Sequence, residues 1–153
     1  MITATSINGD IVKVPKSKFR TRVSGYAVVI HEGKILLVNT KSSGKLFFPG
    51  GEINLCEKMS DGIKRELWEE TGIKIEIGDL ITHKETFFYY EPYDEGYHNQ
   101  ALFFKCKPLT FNLSENHTEF DEAEKPAWHK ITDLKKSDFH SFAYEVFKKI
   151  NLK

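Results

Sequence analysis

Three glutamates in the stretch from Gly51 to Ile73 constrain this chain most, because their spacing is helical. Glu66, Glu69 and Glu70 stand at positions i, i+3 and i+4, so a helix would place their carboxylates on one face. Like charges at this spacing destabilise a helix by about 0.2–0.5 kcal/mol per pair unless a counter-charge lies among them. The pattern therefore predicts either a solvated acidic face or a cation site.

The donor type restricts which cation could bind there. Carboxylates suit hard ions, since Mg²⁺, Mn²⁺ and Ca²⁺ take oxygen ligands whereas Zn²⁺ usually takes nitrogen or sulfur from His or Cys. Just upstream, Phe48-Pro49-Gly50-Gly51 forms a predicted turn whose glycines let backbone groups approach a ligand closely. We therefore expect Mg²⁺, with Mn²⁺ as the alternative.

The same segment also carries the pattern of a core-packing helix. Met59, Ile63 and Leu67 recur at intervals of four and would bury one side of the helix against a sheet. Thr71-Gly72 would end it, because glycine commonly follows a helix C-terminus. Gly62 lies inside the helix and should weaken it by about 0.8–1 kcal/mol relative to alanine.

The surrounding residues complete a longer pattern, G-x5-E-x7-R-E-U-x-E-E-x-G-U, where U is a large aliphatic residue. All nine fixed positions are met, and so long a pattern rarely arises by chance. The pattern resembles the motif of the Nudix hydrolases. The positions are filled by Gly51, Glu57, Arg65, Glu66, Leu67, Glu69, Glu70, Gly72 and Ile73.

The resemblance implies a fold, a reaction and a metal site. The implied fold is an α/β/α sandwich with a central mixed β-sheet, with residues 1–153 as one domain. The implied reaction is the attack of water on a phosphorus atom of a nucleoside diphosphate linked to another group. By position, Glu66, Glu69 and Glu70 would bind the metal, helped by the carbonyl of Gly50.

The resemblance also implies roles for further charged residues. Arg65 and Glu57 would form a supporting pair that fixes the loop against the helix, which agrees with the bidentate fork that arginine offers a carboxylate. We expect Glu70 to be the most important residue, as metal ligand and possible proton acceptor. The resemblance also implies that an acidic residue before Trp128 completes the metal set or serves as the base, with Glu122 the best match and Glu119 next.

Substrate contacts are expected from the turn and from an aromatic strand. Phe48 and Gly51 flank the turn, and Tyr90 or Phe88 could stack on a nucleobase, although alternating aromatic residues more often belong to the core. Candidate substrates are nucleoside triphosphates, including oxidised ones, dinucleoside polyphosphates, and nucleotide sugars such as ADP-ribose. Tyr90 weakly resembles a residue of the dinucleoside polyphosphate hydrolases and does not decide between them.

Apolar runs predict the strands that would hold this segment. Thr21–Ile30 and Ile35–Val38 would form a hairpin, and Thr86–Tyr90 and Ala101–Cys106 a second one joined by a loop over 91–100. Further strands are predicted over Ile11–Val14, Ile73–Ile81 and Ala127–Ile131, and Gly78-Asp79 would form a turn or a bulge within the second of them. The spacing of Phe139, Phe142, Val146 and Ile150 predicts a C-terminal helix from about Ser137 or Asp138.

Composition bears on partners and compartment. Lys plus Arg and Asp plus Glu both number 22, so no overall field attracts a large nucleic acid. Cys56 and Cys106 could form at most one bridge, and a reduced chain is the simpler interpretation. No signal peptide or membrane span is evident. We expect a cytoplasmic monomer or homodimer that binds a nucleotide.

Two other functions compete with hydrolysis. A nucleotide-binding regulatory module could keep the fold without catalysis, but it should lack one or more of the motif glutamates, and this chain lacks none. An RNA-binding or decapping-type enzyme would be favoured by a basic patch, which the balanced charge does not predict.

Overall fold

The computed structural model describes residues 1–116 and 122–150, so the predicted base Glu119 lies outside the described residues. The described part contains nine strands and two α-helices, joined by turns and short 3-10 segments. None of its helices is long and apolar enough to cross a membrane. The elements are β1 Ile2–Ser6, β2 Ile11–Val14, β3 Phe19–His31, β4 Lys34–Thr40, β5 Leu46–Phe47, β6 Gly50–Glu52, α1 Met59–Thr71, β7 Ile75–Tyr90, β8 Glu95–Pro108, β9 Ala123–Lys130 and α2 Ala143–Lys148.

The strands form one mixed sheet in the order β2-β1-β7-β8-β3-β4-β5, with β6 paired to β3 and β9 paired to β4. The pairs β1/β7 and β3/β8 are parallel, and the others are antiparallel. The mixed sheet confirms the predicted α/β class. The short strand β6 matters most for function, because it carries the glycine turn alongside β3.

The alternation of side chains along β3 separates two hydrophobic cores. Ala27 and Val29 pack on one face of the sheet with Ile63 and Leu67 of α1. On the other face, Val28 joins a second cluster that includes residues of α2. One helix therefore covers each face, as the predicted α/β/α sandwich requires.

Helix α1 follows the prediction from its apolar spacing. Ile63 and Leu67 are fully buried, while Trp68 on the outer flank is half exposed. The helix ends at Thr71, and Gly72 adopts the left-handed conformation with a φ of 73° while its N–H donates to the Trp68 carbonyl. The buried and acidic sides of α1 therefore diverge.

The second predicted hairpin is longer than its apolar runs indicated. The polar residues between 95 and 100 were predicted as loop but belong to β8, which pairs with β7 from Tyr90 to Ile75. Only residues 91–94 connect the strands. Polar residues extend the strands here because the backbone ladder continues beyond the core. Of the turn or bulge predicted at Gly78-Asp79, the structure has the bulge, seen as a register shift between Ile77 and Leu80.

The C-terminal helix was predicted too early. Residues 136–138 form a single 3-10 turn, and α2 begins only at Ala143. The reason is tertiary: Phe139 bridges to Leu46 of β5, and the His140 N–H donates to the Leu46 carbonyl at 2.8 Å. A backbone engaged with the sheet cannot also form helical hydrogen bonds.

Both cysteines are free, Cys56 exposed and Cys106 buried.

We predict that Gly50→Ala destabilises the fold far more than Gly44→Ala. Gly50 has a φ of 146°, and a Cβ there would lie 2.2 Å from the Gly25 carbonyl oxygen and 2.7 Å from the Tyr26 Cα. Crowding against the backbone adds to the φ strain, for a combined loss of about 3 kcal/mol or more in the free energy of unfolding. Urea denaturation measures it.

Gly44 is the matched control, because its φ of 70° is also positive but a Cβ would meet nothing within 4 Å. Its substitution should cost about 1–2 kcal/mol, from backbone strain alone. Equal losses in the two variants would show that the close approach of β6 to β3 is not what requires glycine at position 50.

Candidate functional site

Arg65, in the middle of α1, joins the helix to the loop that precedes it. Its Nε donates to Glu57 Oε2 at 2.9 Å and its Nη2 to Glu57 Oε1 at 3.0 Å, while Nη2 also donates to the Glu52 carbonyl at 3.2 Å. This bidentate contact confirms that the predicted pair forms. The Arg65 guanidinium, followed by the Asn54 N–H, lowers the pKa of Glu57 to about 2. Glu57 in turn raises the pKa of Arg65.

Gly62 gives the Glu57 carboxylate the space it occupies. A Cβ at Gly62 would lie 2.8 Å from Glu57 Oε1 and 2.6 Å from Ile53 Cδ1. The low helix propensity of glycine is therefore offset by a contact that alanine would disturb. Gly62 therefore leaves room for the carboxylate that Arg65 binds.

The other end of the Arg65 guanidinium reaches the acidic face of α1. Its Nη1 lies 3.0 Å from Glu66 Oε1 and 3.5 Å from Glu69 Oε2. A cation of the helix itself thus contacts two of the three carboxylates, which offsets part of their mutual repulsion. The sequence had predicted Arg65 only as the partner of Glu57.

Glu70 ties α1 to the glycine turn. It is 5% exposed, and its Oε1 accepts a hydrogen bond of 2.9 Å from the Gly50 N–H. A carboxylate so deeply buried requires compensating interactions. The neighbouring glycine is equally constrained, since a Cβ at Gly51 would lie 2.9 Å from Glu66 Cδ. The structure therefore brings Gly50, Gly51, Glu66 and Glu70 together, as the motif predicted.

The donors at this place fit a hard cation in kind. Glu66, Glu69 and Glu70 offer carboxylate oxygens beside the Gly50–Gly51 turn, and only oxygen ligands are involved. Within residues 1–116 and 122–150, no three His, Cys, Asp or Glu side chains already converge as a ready metal cluster. The arrangement supplies suitable ligands, while Arg65 contacts two of them.

Two residues that the sequence analysis missed lie across the turn from α1. Tyr26 pairs with Gly50 in the β3/β6 ladder, and Arg22 lies on the same strand two alternations away. Burial raises the pKa of the Tyr26 hydroxyl, while the field of Arg22 lowers it and those of Glu70 and Glu66 raise it. The Tyr26 hydroxyl therefore lies within electrostatic range of the Arg22 guanidinium and of the Glu66 and Glu70 carboxylates. The alternation of Arg20, Arg22, Ser24 and Tyr26 was the available signal.

Two of the predicted substrate contacts need correction. Phe48 is 1% exposed and packs edge-on against Phe103, so its side chain is a core residue. Tyr90 pairs with Glu95 of β8. The glycine turn lies eight residues further along that strand, because Gly50 pairs with Tyr26 and Tyr26 pairs with Phe103. Those eight residues span roughly 26 Å. Tyr90 and its neighbour Phe88 are thus remote from the glutamates within one chain, because the hairpin is longer than predicted.

Glu122, the predicted alternative base, is exposed and hydrogen-bonded to the loop after β4. Its Oε1 accepts a hydrogen bond of 2.6 Å from the Ser42 N–H, and its carbonyl accepts one of 2.8 Å from the Lys41 N–H. Its field also raises the pKa of His140, although burial lowers that pKa more strongly. These contacts place Glu122 at the loop after β4; its role as a base stays a prediction.

Comparison with known proteins identifies relatives of this chain. The family profile described as NUDIX domain matches residues 20–150. A MutT-like protein of Streptomyces ambofaciens is 38% identical over 88 residues, covering 56% of this chain and 51% of that protein. Nudix hydrolase 2 of Arabidopsis thaliana is 29% identical over 111 residues, covering 68% and 38%. The chain thus spans about half or less of the length of these curated relatives.

A solved structure supports the fold. The crystal structure of a MutT NUDIX hydrolase from Burkholderia pseudomallei matches with a TM-score of 0.68 at 21% identity. The match covers 86% of this chain and 99% of that one. At this identity the likeness shows a shared fold.

We predict that the Arg65–Glu57 pair makes stability depend on acid pH. The pKa of Glu57 falls from its ordinary value of 4.5 to about 2 on folding. The unfolded chain therefore binds the extra proton in this window, and the contribution of the pair is lost as the pH falls from about 5 to about 2. Urea denaturation across that range should show a shallower loss of stability in Glu57→Gln than in the unchanged protein.

Glu76→Gln is the control, because Glu76 is exposed on β7 and does not belong to the Arg65–Glu57 pair. Its profile should follow that of the unchanged protein. Identical slopes in all three proteins would show that the pair does not couple folding to the protonation of Glu57.

Proposed function

Because the chain belongs to the Nudix hydrolase family, we propose that it is a metal-dependent pyrophosphohydrolase of nucleoside diphosphate derivatives. The observation that carries the proposal is the contact of Glu70 with the Gly50 N–H, which holds the acidic face of α1 against the glycine turn. Oxygen donors from two segments are thus concentrated at one place. That arrangement suits a site that must neutralise a diphosphate.

The metal ligands we propose are Glu66, Glu69 and Glu70 with the carbonyl of Gly50. Mg²⁺ or Mn²⁺ bound there would neutralise phosphate charge and lower the pKa of a coordinated water. The chain itself contributes the position of the ligands, since Gly50 fixes one oxygen of Glu70 and Gly51 leaves room for the Glu66 carboxylate.

Proton transfer is assigned to a carboxylate of the chain. Water attacks a phosphorus atom of the diphosphate, the anhydride P–O bond breaks, and the proton of the water passes to Glu70. A positioned base contributes roughly 10²–10⁴-fold in rate. Glu122 is the alternative base, and it would act only if the loop after β4 brought it to the substrate.

Arg65 and Glu57 support this site without touching the reacting atoms. The bidentate contact fixes the loop before α1, and the remaining Arg65 nitrogen orients Glu66 and Glu69. We assign both to positioning rather than to chemistry. Gly51 contributes by its lack of a side chain, next to Glu66.

A nucleotide-binding module without catalysis is the alternative. All three glutamates and the glycine turn are present, which favours the enzyme. Purified protein with Mg²⁺ should be tested against a nucleoside triphosphate, an oxidised one, a dinucleoside polyphosphate and ADP-ribose, measuring release of monophosphate or pyrophosphate. Binding without release would favour the module. The single domain, the cytoplasmic location and the monomeric or homodimeric state stay predictions.

We predict that Glu70→Gln lowers the turnover number at least about 10²-fold while keeping the fold. Glutamine retains a carbonyl oxygen that can accept the hydrogen bond from Gly50 N, so the turn should stay in place. It cannot take the proton and is a weaker ligand. Steady-state kinetics on the best substrate of the panel measure the effect, with circular dichroism to verify folding.

Glu76→Gln again serves as the matched control and should keep full turnover, because this exposed glutamate lies outside the site. A Glu70→Gln protein that is folded and fully active would refute the assignment of Glu70. A Glu122→Gln protein that loses the activity instead would transfer the role of base to Glu122.

We predict that Glu66→Gln weakens Mn²⁺ binding by about 10–100-fold or more, the loss usual even for residues that only support a metal ligand. Isothermal titration or electron paramagnetic resonance of Mn²⁺ measures the affinity directly, without substrate. Glu76→Gln should bind Mn²⁺ as the unchanged protein does. Unaltered affinity in Glu66→Gln would remove Glu66 from the ligand set.

A further inference from the structure

One face of strands β3 and β8 carries polar residues beyond the core under α2. Parallel pairing puts Arg20 beside Tyr97 and Arg22 beside Asn99. Ser24 continues the row, and its hydroxyl donates to Asn99 Oδ1 at 3.0 Å. Tyr26 ends the row next to Gly50. This polar face therefore leads along β3 from the exposed hairpin to the glycine turn.

The two arginines of this face differ in their partners. Arg20 is paired with Glu52 at 3.1 Å and lies 3.9 Å from Glu95, with its guanidinium 4.7 Å above the Tyr97 ring. Its charge is thus matched by the protein itself. Arg20 has the contacts of a structural residue.

Arg22 has no such match within the part of the chain that the structure describes. Its guanidinium lies 5.7 Å from the centroid of Tyr97, and its Nε is buried there with no hydrogen-bond partner. Burying a donor of a charged group without a partner is costly. The Arg22 side chain as a whole is only partly buried, so an anionic ligand would compensate its charge at the exposed part of the guanidinium and not at Nε.

The position of Arg22 relates it to the glutamates of α1. It lies four residues before Tyr26, about 13 Å along the strand, and Tyr26 is opposite Gly50. The Tyr26 hydroxyl is within the fields of Arg22 and of Glu66 and Glu70. A substrate whose diphosphate lies at the glutamates can therefore extend over Tyr26 towards Arg22.

We propose that Arg22 binds a further phosphate of the substrate and makes the site selective for polyphosphate chains. A guanidinium fork matches two oxygens of a phosphate, whereas a neutral sugar offers no charge to compensate it. The favoured class is then a nucleotide with three or more phosphates in a row, over a nucleotide sugar with two. This inference rests on the proposed function, since it places the diphosphate at the glutamates.

The test compares ATP with ADP-ribose, both with Mg²⁺, in the unchanged protein and in three variants. Arg22→Gln should lower kcat/KM for ATP about 10- to 100-fold, mainly through KM, and change that for ADP-ribose less than about 3-fold. Arg22→Lys should recover part of the loss, because lysine keeps the charge and loses the fork.

Arg20→Gln is the matched control two residues away. It breaks a solvent-exposed contact with Glu52, so it should change the melting temperature little and leave the preference between the two substrates unchanged. Equal losses on both substrates in Arg22→Gln, or no loss on ATP, would overturn the proposal. So would a preference of the unchanged protein for ADP-ribose. If Arg22→Gln does not fold, Arg22→Lys carries the same comparison.

A direct binding measurement separates this proposal from the proposed function. Inorganic tripolyphosphate is titrated calorimetrically into unchanged protein and Arg22→Gln, without substrate turnover. An affinity for tripolyphosphate that is lower in Arg22→Gln by about 10-fold or more supports the Arg22 site, even if no substrate of the panel is hydrolysed. Equal affinities overturn it even if the unchanged protein is an active hydrolase.

Discussion

The Arg65 guanidinium is the interaction on which the site depends. It donates two hydrogen bonds to Glu57, one to the Glu52 carbonyl, and reaches Glu66 and Glu69 from its other end. One planar group thus connects the strand with the turn, the loop before the helix and the acidic face of the helix. A lysine could not replace it, because its single point charge cannot serve acceptors in several fixed directions.

Close packing of backbone explains the glycines that surround this interaction. At Gly25 a Cβ would lie 2.6 Å from Ile63 Cγ1, and at Gly51 one would meet the Glu66 carboxylate. Helix and turn can therefore approach until carboxylates of α1 reach backbone donors of β6. Gly62 shows the same effect inside the helix, where its poor propensity is outweighed by the room it leaves for Glu57. Tertiary contact, not local preference, decides these positions.

The sequence predicted what local periodicity and fixed spacing encode. Helix α1 and its end at Gly72 follow from the apolar spacing and the terminal glycine. The Arg65–Glu57 pair and the meeting of Glu66 and Glu70 with the turn were implied by the resemblance to the Nudix motif. Features set by distant strands were missed. Phe139 leaves the helical pattern because it bridges to Leu46, and Tyr90 is carried away by a hairpin whose polar half gave no apolar signal.

The contrast between Arg20 and Arg22 extends this lesson to specificity. Both occupy the same face of β3 and both lie over Tyr97, so sequence position alone cannot tell them apart. Glu52 and Glu95, brought from β6 and β8, match the first, while the buried Nε of the second finds no partner in the described part of the chain. The charge of Arg20 is thus compensated within the fold, whereas the part-exposed guanidinium of Arg22 has no ion pair with a described carboxylate and is left to bind an anionic ligand.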